Sequence, residues 1–179
     1  MKTILLTLLV SLLSLAQTSF ETKSPEPIEY VSPKKFLGLW YEIARTYNSF
    51  EENCVAATVE YKAIDDKNKL EVFNRCFENQ IGGELITYSG VVNPLLENNL
   101  ARLDKTYYWI FTKEYKIIYL DKNYQTAIMS DDKMKNLWII HRKPIIEKEK
   151  LEALVTFLDK YMDSTSLIFT PQDKNGKYK

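Results

Sequence analysis

The fold of this chain is decided by the stretch Gly38-Leu39-Trp40-Tyr41-Glu42-Ile43-Ala44-Arg45, in which a Gly-x-Trp tripeptide leads into an alternating segment. Alternation with a period of two predicts a β-strand that turns one face toward a core. Two later stretches carry related signals. Residues 120–128 place an Asp and a Tyr around a tight turn before an apolar run, and residues 137–142 form an apolar run that ends in Arg. We therefore expect one β domain from about residue 33 onward.

Short runs rich in Val, Ile, Tyr and Thr, separated by polar turns, surround these stretches. They predict β-strands over residues 38–46, 54–64, 69–78, 84–92, 99–105, 114–121, 125–131 and 136–142. Regular spacing of such runs is typical of a barrel or a sandwich. Eight antiparallel strands can close into a barrel that holds one small ligand. We therefore predict an all-β fold, an eight-stranded antiparallel up-and-down β-barrel.

Between residues 144 and 163 the apolar residues fall at helical spacing, with Glu and Lys between them. This pattern predicts one amphipathic C-terminal α-helix that flanks the barrel. Pro144 suits the first turn of such a helix. A last short strand is predicted over residues 166–170.

The N-terminus has the layout of a secretory signal peptide. Lys2 precedes an apolar run over residues 4–15, and the small residues Ser14 and Ala16 precede the expected cleavage site. The run is shorter than the ~20 residues that a membrane-spanning helix needs. We expect a signal peptide over residues 1–16, an extended leader over 17–32, one folded domain over 33–171 and a loose tail over 172–179.

Charge excludes some partners, and the cysteines allow one crosslink. The 24 basic and 24 acidic side chains balance, so no net field attracts nucleic acid or an anionic membrane surface. Cys54 and Cys76 are the two cysteines, and in an exported protein they suggest a disulfide. Alternation places Cys54 with polar neighbours and Cys76 with apolar ones, so pairing requires a bulge or a register shift. Two separate buried thiols are the alternative.

Taken together, the three stretches resemble the sequence motifs of the lipocalins, small barrels that carry hydrophobic ligands. Within the family the resemblance is closest to the bacterial envelope lipocalins and to apolipoprotein D, and it covers the chain from about residue 33 to the C-terminus. It implies that the leader and a short helical turn near residues 32–36 close one end of the barrel. It also implies a structural plug made by Gly38, Trp40 and Arg142, with the guanidinium lying across the indole. Such a cation–π contact contributes about 0.5–2 kcal/mol.

Alternate residues of each strand point into a barrel, and these are the candidate ligand-binding residues. They are Glu42, Ala44, Ala57, Val59, Tyr61, Val72, Asn74, Trp138 and Ile140. The resemblance to apolipoprotein D singles out Tyr61, Asn74 and Trp138 as positions that face its pocket. The alternative is that all of these residues fill the barrel as ordinary core.

An aromatic run, Tyr107, Tyr108, Trp109 and Phe111, lies between the fifth and sixth predicted strands, at the open mouth. It can gate the pocket or dip into a membrane interface, where Trp and Tyr are favoured. Alternatively, the two strands extend through it and pack normally.

The sequence predicts an exported protein that binds or transports a small hydrophobic ligand, a fatty acid or lysophospholipid, in the periplasm or cell envelope of a bacterium. Many bacterial relatives are lipid-anchored through a cysteine just after the apolar run. This chain has none there, which favours a soluble form. Transient membrane contact fits the aromatic run, and no nucleic-acid partner is expected. The sequence does not fix the oligomeric state.

An enzyme is not predicted, nor is a metal or another cofactor. His141 is the only histidine, and no zinc spacing, Gly-rich phosphate loop or Gly-x-Ser-x-Gly elbow occurs. The alternatives are a lipid-modifying enzyme that uses a pocket thiol, a bilin or haem carrier, and a protein-interaction module that works through its loops.

Overall fold

The computed structural model of the protein describes residues 23–64 and 69–176. The predicted signal peptide over residues 1–16 lies outside the described residues, as does the end of the predicted tail.

The described chain forms a closed antiparallel β-barrel. Each of the first seven strands pairs with the next, and β1 pairs with both β2 and β8, which closes the barrel. The strands are β1 (Gly38–Arg45), β2 (Cys54–Ala63), β3 (Leu70–Glu78), β4 (Leu85–Leu96), β5 (Asn99–Tyr107), β6 (Phe111–Leu120), β7 (Thr126–Ser130), β8 (Leu137–His141) and the short β9 (Ile168–Phe169). Strand β9 adds to β1. The predicted eight-stranded up-and-down barrel is confirmed.

The barrel wall separates two hydrophobic cores. The inner core lies between opposite strands and contains Trp40, Leu103 and Ile117. The outer core lies between the wall and helix α2 (Lys148–Leu158), and it joins Ile128 and Ile139 of the wall to Leu154 and other apolar residues of the helix. In the sequence, apolar residues alternate along the strands, and they recur at helical spacing along α2. These two patterns produce the apolar faces that form the cores.

Helix α2 begins later than predicted. The sequence predicts a start at Pro144, but the first helical residue is Lys148, preceded by Glu147 as N-cap. Ile145 and Ile146 belong to a non-helical segment after β8, in which Ile145 is 52% exposed. Ile146 packs against the outer core, so its helical spacing in the sequence reflects that contact and not an additional helical turn.

The N-terminal segment closes one end of the barrel. Helix α1 (Pro33–Phe36) sits at this end, and Ser32 caps it by accepting a hydrogen bond from the Lys35 N–H. Ahead of α1, the Ile28 N–H donates to the carbonyl of Ile117 at 2.9 Å. The Val31 N–H donates to the Asn99 side chain, also at 2.9 Å. At this end of the barrel, polar groups of the strands therefore form hydrogen bonds with the leader instead of with water.

Part of the predicted loose tail packs on the barrel. The Gln172 side chain donates to the carbonyls of Glu42 and Ala57, each at 2.8 Å. The Tyr41 hydroxyl donates to the carbonyl of Gly176 at 3.4 Å. These contacts tie residues 172–176 to strands β1 and β2.

Candidate functional site

The barrel holds a cavity of about 540 Å³. This volume falls within the ~300–1,000 Å³ that small-molecule sites occupy. Its buried and half-buried walls carry Glu42, Thr58, Val59, Tyr61, Asn74, Lys105, Tyr107, Tyr115, Met129, Trp138 and Ile140. Its more exposed rim includes Phe50, Tyr108, Ile110, Phe111, Thr112 and Lys113. The walls are therefore mainly apolar and aromatic, with a few polar groups among them.

The structure brings most of the candidate ligand-binding residues to this cavity. Those that line it are Glu42, Val59, Tyr61, Asn74, Trp138 and Ile140. Ala44, Ala57 and Val72 do not line it, and each has a different physical reason.

Ala44 faces the outer core because β1 contains an irregularity. The register with β8 shifts between Glu42 and Ala44, which brings Ala44 opposite Ile139. Both residues belong to the outer core beneath α2. An extra residue in one strand reverses the alternation beyond it, so placing Ala44 on the same side as Glu42 was wrong.

A second irregularity redirects Ala57. The register of β2 with β3 shifts between Val55 and Thr58, and Ala56 within this stretch has a φ of 50°. Ala57 packs with Cys54 and Cys76 in a small separate cluster, and Thr58 takes a place in the cavity wall. The prediction that Ala57 lines the cavity was therefore wrong.

Val72 points inward but is fully buried in the inner core. It lies opposite Tyr61, and Tyr61 in turn pairs with Gly38 at the closed end. At this level the barrel is filled by side chains, so Val72 belongs to packed core and not to the cavity wall.

Cys54 and Cys76 form a disulfide, with their Cα atoms 5.4 Å apart. Regular alternation would place the two cysteines on opposite faces of the sheet. The register shift in β2 removes this conflict, because it brings Cys54 to the side of Cys76. No cysteine among the described residues is free, and the sequence contains only these two.

Trp40 and Arg142 form the plug at the closed end. The guanidinium carbon of Arg142 lies 3.7 Å from the centre of the Trp40 indole. Arg142 Nη1 donates to the Leu39 carbonyl, and Nη2 donates to the Leu37 carbonyl, each at 2.8 Å. Burial lowers the pKa of Arg142 to about 10, which leaves the side chain charged at neutral pH. A Cβ at Gly38 would meet Arg142 at 3.3 Å, and Gly38 has a φ of 94°, so glycine suits both the space and the backbone there.

A buried polar network occupies the wall near the cavity. Arg45 donates to the Glu42 carboxylate at 2.9 Å and to the Thr170 hydroxyl at 3.1 Å. Burial and the charge of Glu51 raise the pKa of Glu42 to about 8, although Arg45 and Thr170 act in the opposite direction. The Glu51 carboxylate accepts a hydrogen bond from the Trp138 indole at 2.9 Å.

Lys105 is the charged member of the wall residues that sequence reasoning missed, which also include Thr58, Tyr115 and Met129. Its side chain lies inside the barrel, only 7% exposed, and its ammonium lies 5.5 Å from the Tyr61 ring, 5.4 Å from Tyr115 and 5.7 Å from Trp138. The signal was present in the alternation, because Lys105 shares its parity in β5 with the buried Ala101 and Leu103. Alternation along β5 therefore predicts an inward-facing side chain at Lys105.

The aromatic run forms a tight turn at the mouth. Strand β5 extends to Tyr107 and β6 begins at Phe111, so the strands run further than predicted. The Tyr107 hydroxyl faces inward and accepts a hydrogen bond from Asn74 at 2.7 Å. Tyr108 and Trp109 both have positive φ, at 51° and 62°, and Trp109 is 93% exposed. The remaining side chains of the run therefore stay exposed at the mouth, while the backbone is strained.

His141 lies away from the cavity. It is buried, and its Nδ1 lies 2.9 Å from the Thr126 hydroxyl. Burial lowers its pKa. Across residues 23–64 and 69–176, no group of three His, Cys, Asp or Glu side chains is placed to hold a metal ion. In the same part of the chain, no helix has both the length and the hydrophobicity to cross a membrane.

Comparison with known proteins agrees with this architecture. A family model described as a lipocalin-like domain matches residues 31–172. The outer membrane lipoprotein Blc of Escherichia coli strain K12 is 31% identical over 140 residues, which cover 78% of each chain. Apolipoprotein D of Mus musculus is 30% identical over 146 residues, covering 75% of this chain and 73% of its own. Insecticyanin from the tobacco hornworm Manduca sexta superposes with a TM-score of 0.67 at 17% identity, covering 85% of this chain and 86% of its own. The chain belongs to the lipocalin family.

Proposed function

We propose that this lipocalin is an exported carrier that binds a fatty acid or lysophospholipid inside its barrel. The observation that carries the proposal is the cavity of about 540 Å³, walled mainly by apolar and aromatic side chains. A plug closes the opposite end of the barrel, so a ligand enters through the mouth.

The energetics of such a cavity suit a long hydrocarbon chain. Burial of each methylene contributes about 0.8 kcal/mol, so a chain of roughly 15 methylenes contributes on the order of 12 kcal/mol. Association and ordering cost about 4–15 kcal/mol. When the cost lies at the lower end of this range, about 8 kcal/mol remains, which corresponds to micromolar binding without any catalytic group, provided that most of the chain is buried.

The relatives support a lipid ligand and a place in the cell envelope. The Escherichia coli relative is an outer membrane lipoprotein, and the mouse relative is an apolipoprotein. The disulfide fits an oxidising compartment such as the bacterial periplasm. Because both cysteines of the sequence lie in that disulfide, the proposal includes a soluble form without a cysteine-linked lipid.

The alternative functions have less support. An enzyme with a pocket thiol lacks its nucleophile, because Cys54 and Cys76 are bonded to each other. A haem carrier with a histidine axial ligand has no support, because His141, the only histidine of the sequence, lies outside the cavity with its Nδ1 near Thr126. We therefore propose binding and transport without catalysis.

Native mass spectrometry of the exported protein, followed by lipid extraction, tests this proposal. We expect a one-to-one complex whose excess mass matches an extracted fatty acid or lysophospholipid. The mature mass also reports signal cleavage, any attached lipid and the disulfide. An unliganded protein that stays unliganded after incubation with both lipid classes would contradict the proposed function.

We also propose that the turn at the mouth touches the membrane surface when the ligand is collected or delivered. Trp109, Ile110 and Phe111 are exposed there, and aromatic side chains are favoured at the membrane interface. A protein-interaction module remains the competing use of this turn, and it predicts partner binding without any effect of lipid.

A further inference from the structure

Lys105 is a cation inside the cavity, and no described residue forms an ion pair with it. The other lysine of the cavity lining, Lys113, pairs with Asp131 at 2.7 Å. Lys105 has no carboxylate oxygen within 4.0 Å among the described residues, and it is 7% exposed. A buried charge is costly unless something compensates it, so the site is incomplete as it stands.

Three aromatic rings surround the Lys105 ammonium, at 5.4–5.7 Å from their centres. These contacts compensate part of the lost hydration. They do not satisfy the three N–H donors of the ammonium, which need oxygen acceptors. The rings belong to β2, β6 and β8, so the ammonium projects from β5 into the interior between walls.

The acids near the cavity are already engaged. Glu42 accepts from Arg45 and Thr170. Glu51 accepts from the Trp138 indole and from the Asn48 amide. Burial and Glu51 also raise the pKa of Glu42 to about 8, which lowers the negative charge in the cavity wall at neutral pH.

We propose that Lys105 binds the anionic head group of the ligand, so that the protein selects amphiphiles with a carboxylate or phosphate over uncharged ones of equal chain length. This inference rests on the proposed function and names the ligand class within it. One unpaired cation suits one negative charge, so a fatty-acid carboxylate is the preferred head group.

The position of Lys105 also sets the direction in which the ligand lies. The Tyr61 ring beside the ammonium is 5.2 Å from the ring of Phe36, which belongs to α1 at the closed end. The rim carries the apolar Phe50, Ile110 and Phe111. The head group therefore lies deep in the cavity, and the hydrocarbon tail extends toward the mouth.

Isothermal titration calorimetry with oleate, 1-oleoyl lysophosphatidate and oleyl alcohol tests the selection. We expect the wild type to bind oleate at least about tenfold more tightly than the alcohol. Lys105→Met should remove this preference, and Lys105→Arg should keep most of it. Lys62→Met is the matched control, because Lys62 lies 4.8 Å from the Phe73 ring and is absent from the cavity lining. It should bind oleate as the wild type does.

The outcomes separate the two proposals. Equal affinity of the wild type for oleate and oleyl alcohol would overturn the role of Lys105 and leave the carrier function standing, even if Lys105→Met fails to fold. If none of the three ligands binds the wild type, the proposed function fails instead. Tighter binding of lysophosphatidate than of oleate would assign the site to phosphate and overturn the preference for carboxylate.

Brominated fatty acids test the direction of the ligand through quenching of tryptophan fluorescence. In a Trp109→Phe background, 2-bromohexadecanoate should quench more strongly than 16-bromohexadecanoate, because Trp138 lies beside Lys105. Stronger quenching by the 16-bromo compound would overturn the inward position of the head group.

Discussion

At the scale of single residues, Arg142 fastens the closed end of the barrel. It joins the end of β8 to the carbonyls of residues 35–37 and 39 while it stacks on Trp40. A lysine carries the same charge but cannot present a planar fork of donors. The role of this residue in stability is therefore separable from its charge.

We expect Arg142→Lys to lower the free energy of unfolding by about 2–4 kcal/mol, since several charge-assisted hydrogen bonds and the stacking are lost. For a domain of this size that corresponds to a melting temperature lower by roughly 5–10 °C. Trp40→Ala should lower stability by about 3–5 kcal/mol. Lys143→Met, at the exposed neighbouring position, is the control. Unchanged melting in both plug variants would argue against the plug.

Glu42 should make stability depend on pH. An acid whose pKa is raised by folding, here from 4.5 to about 8, favours the folded state most below pH 4.5 and loses that contribution as pH rises toward 8. We expect the stability of the wild type relative to Glu42→Gln to fall over this range, by on the order of 5 kcal/mol. Urea denaturation at several pH values measures it. Glu149→Gln, at an exposed position on α2, should show no such trend, and a flat difference for Glu42→Gln would contradict the raised pKa.

At the scale of elements, the β5–β6 turn places two bulky aromatic residues at positive φ. Glycine and asparagine are the usual residues in such turns, because a side chain there costs about 1–3 kcal/mol. The turn is strained, and its most exposed side chain is a tryptophan. This combination favours a functional role for the turn over a role in stabilising the fold.

Trp109→Gly should therefore raise the free energy of unfolding by about 1 kcal/mol through relief of that strain. Ile110→Gly, at the next position, has no positive φ to relieve and should not stabilise the protein. Denaturant titration of the three proteins makes the comparison. A destabilised Trp109→Gly variant would mean that Trp109 packs in the fold and is not held at a cost.

The same turn should govern adsorption to lipid vesicles. We expect the double variant Trp109→Ser, Phe111→Ser to float with liposomes several-fold less than the wild type, because its interfacial aromatic side chains are gone. The matched control is Tyr30→Ser, Ile145→Ser, which removes two exposed apolar residues far from the mouth. Equal flotation of the wild type and the mouth variant would remove the membrane proposal.

Alternation predicted the strands well and the wall residues less well, for a physical reason. A period of two identifies β1 and β2, but it continues unbroken through the irregularities near Ile43 and Ala56, where the register shifts. Each shift turns the following residue away from the cavity: Ala44 faces the outer core, and Ala57 packs against the disulfide. No glycine or proline marks either shift in the sequence, so only the paired strands reveal them.

At the scale of the whole molecule, one sheet serves two cores and leaves part of its interior unfilled. Val59 and Val72 are both inward valines on neighbouring strands, yet one lines the cavity and the other is packed at the closed end. Their depth in the barrel decides this difference, and depth follows from strand tilt and closure. The sequence therefore predicts a barrel, while the volume and the location of the cavity require the assembled structure.

The central claim, that this cavity binds one hydrophobic ligand, is tested most directly by filling the cavity. Val59→Trp places a large side chain in the wall of the space, and circular dichroism can verify that the variant keeps its fold. Calorimetric titration with oleate should give one saturable site in the wild type and an affinity at least about tenfold weaker in Val59→Trp. Equal binding by the two folded proteins, or no saturable binding by the wild type, would contradict the account.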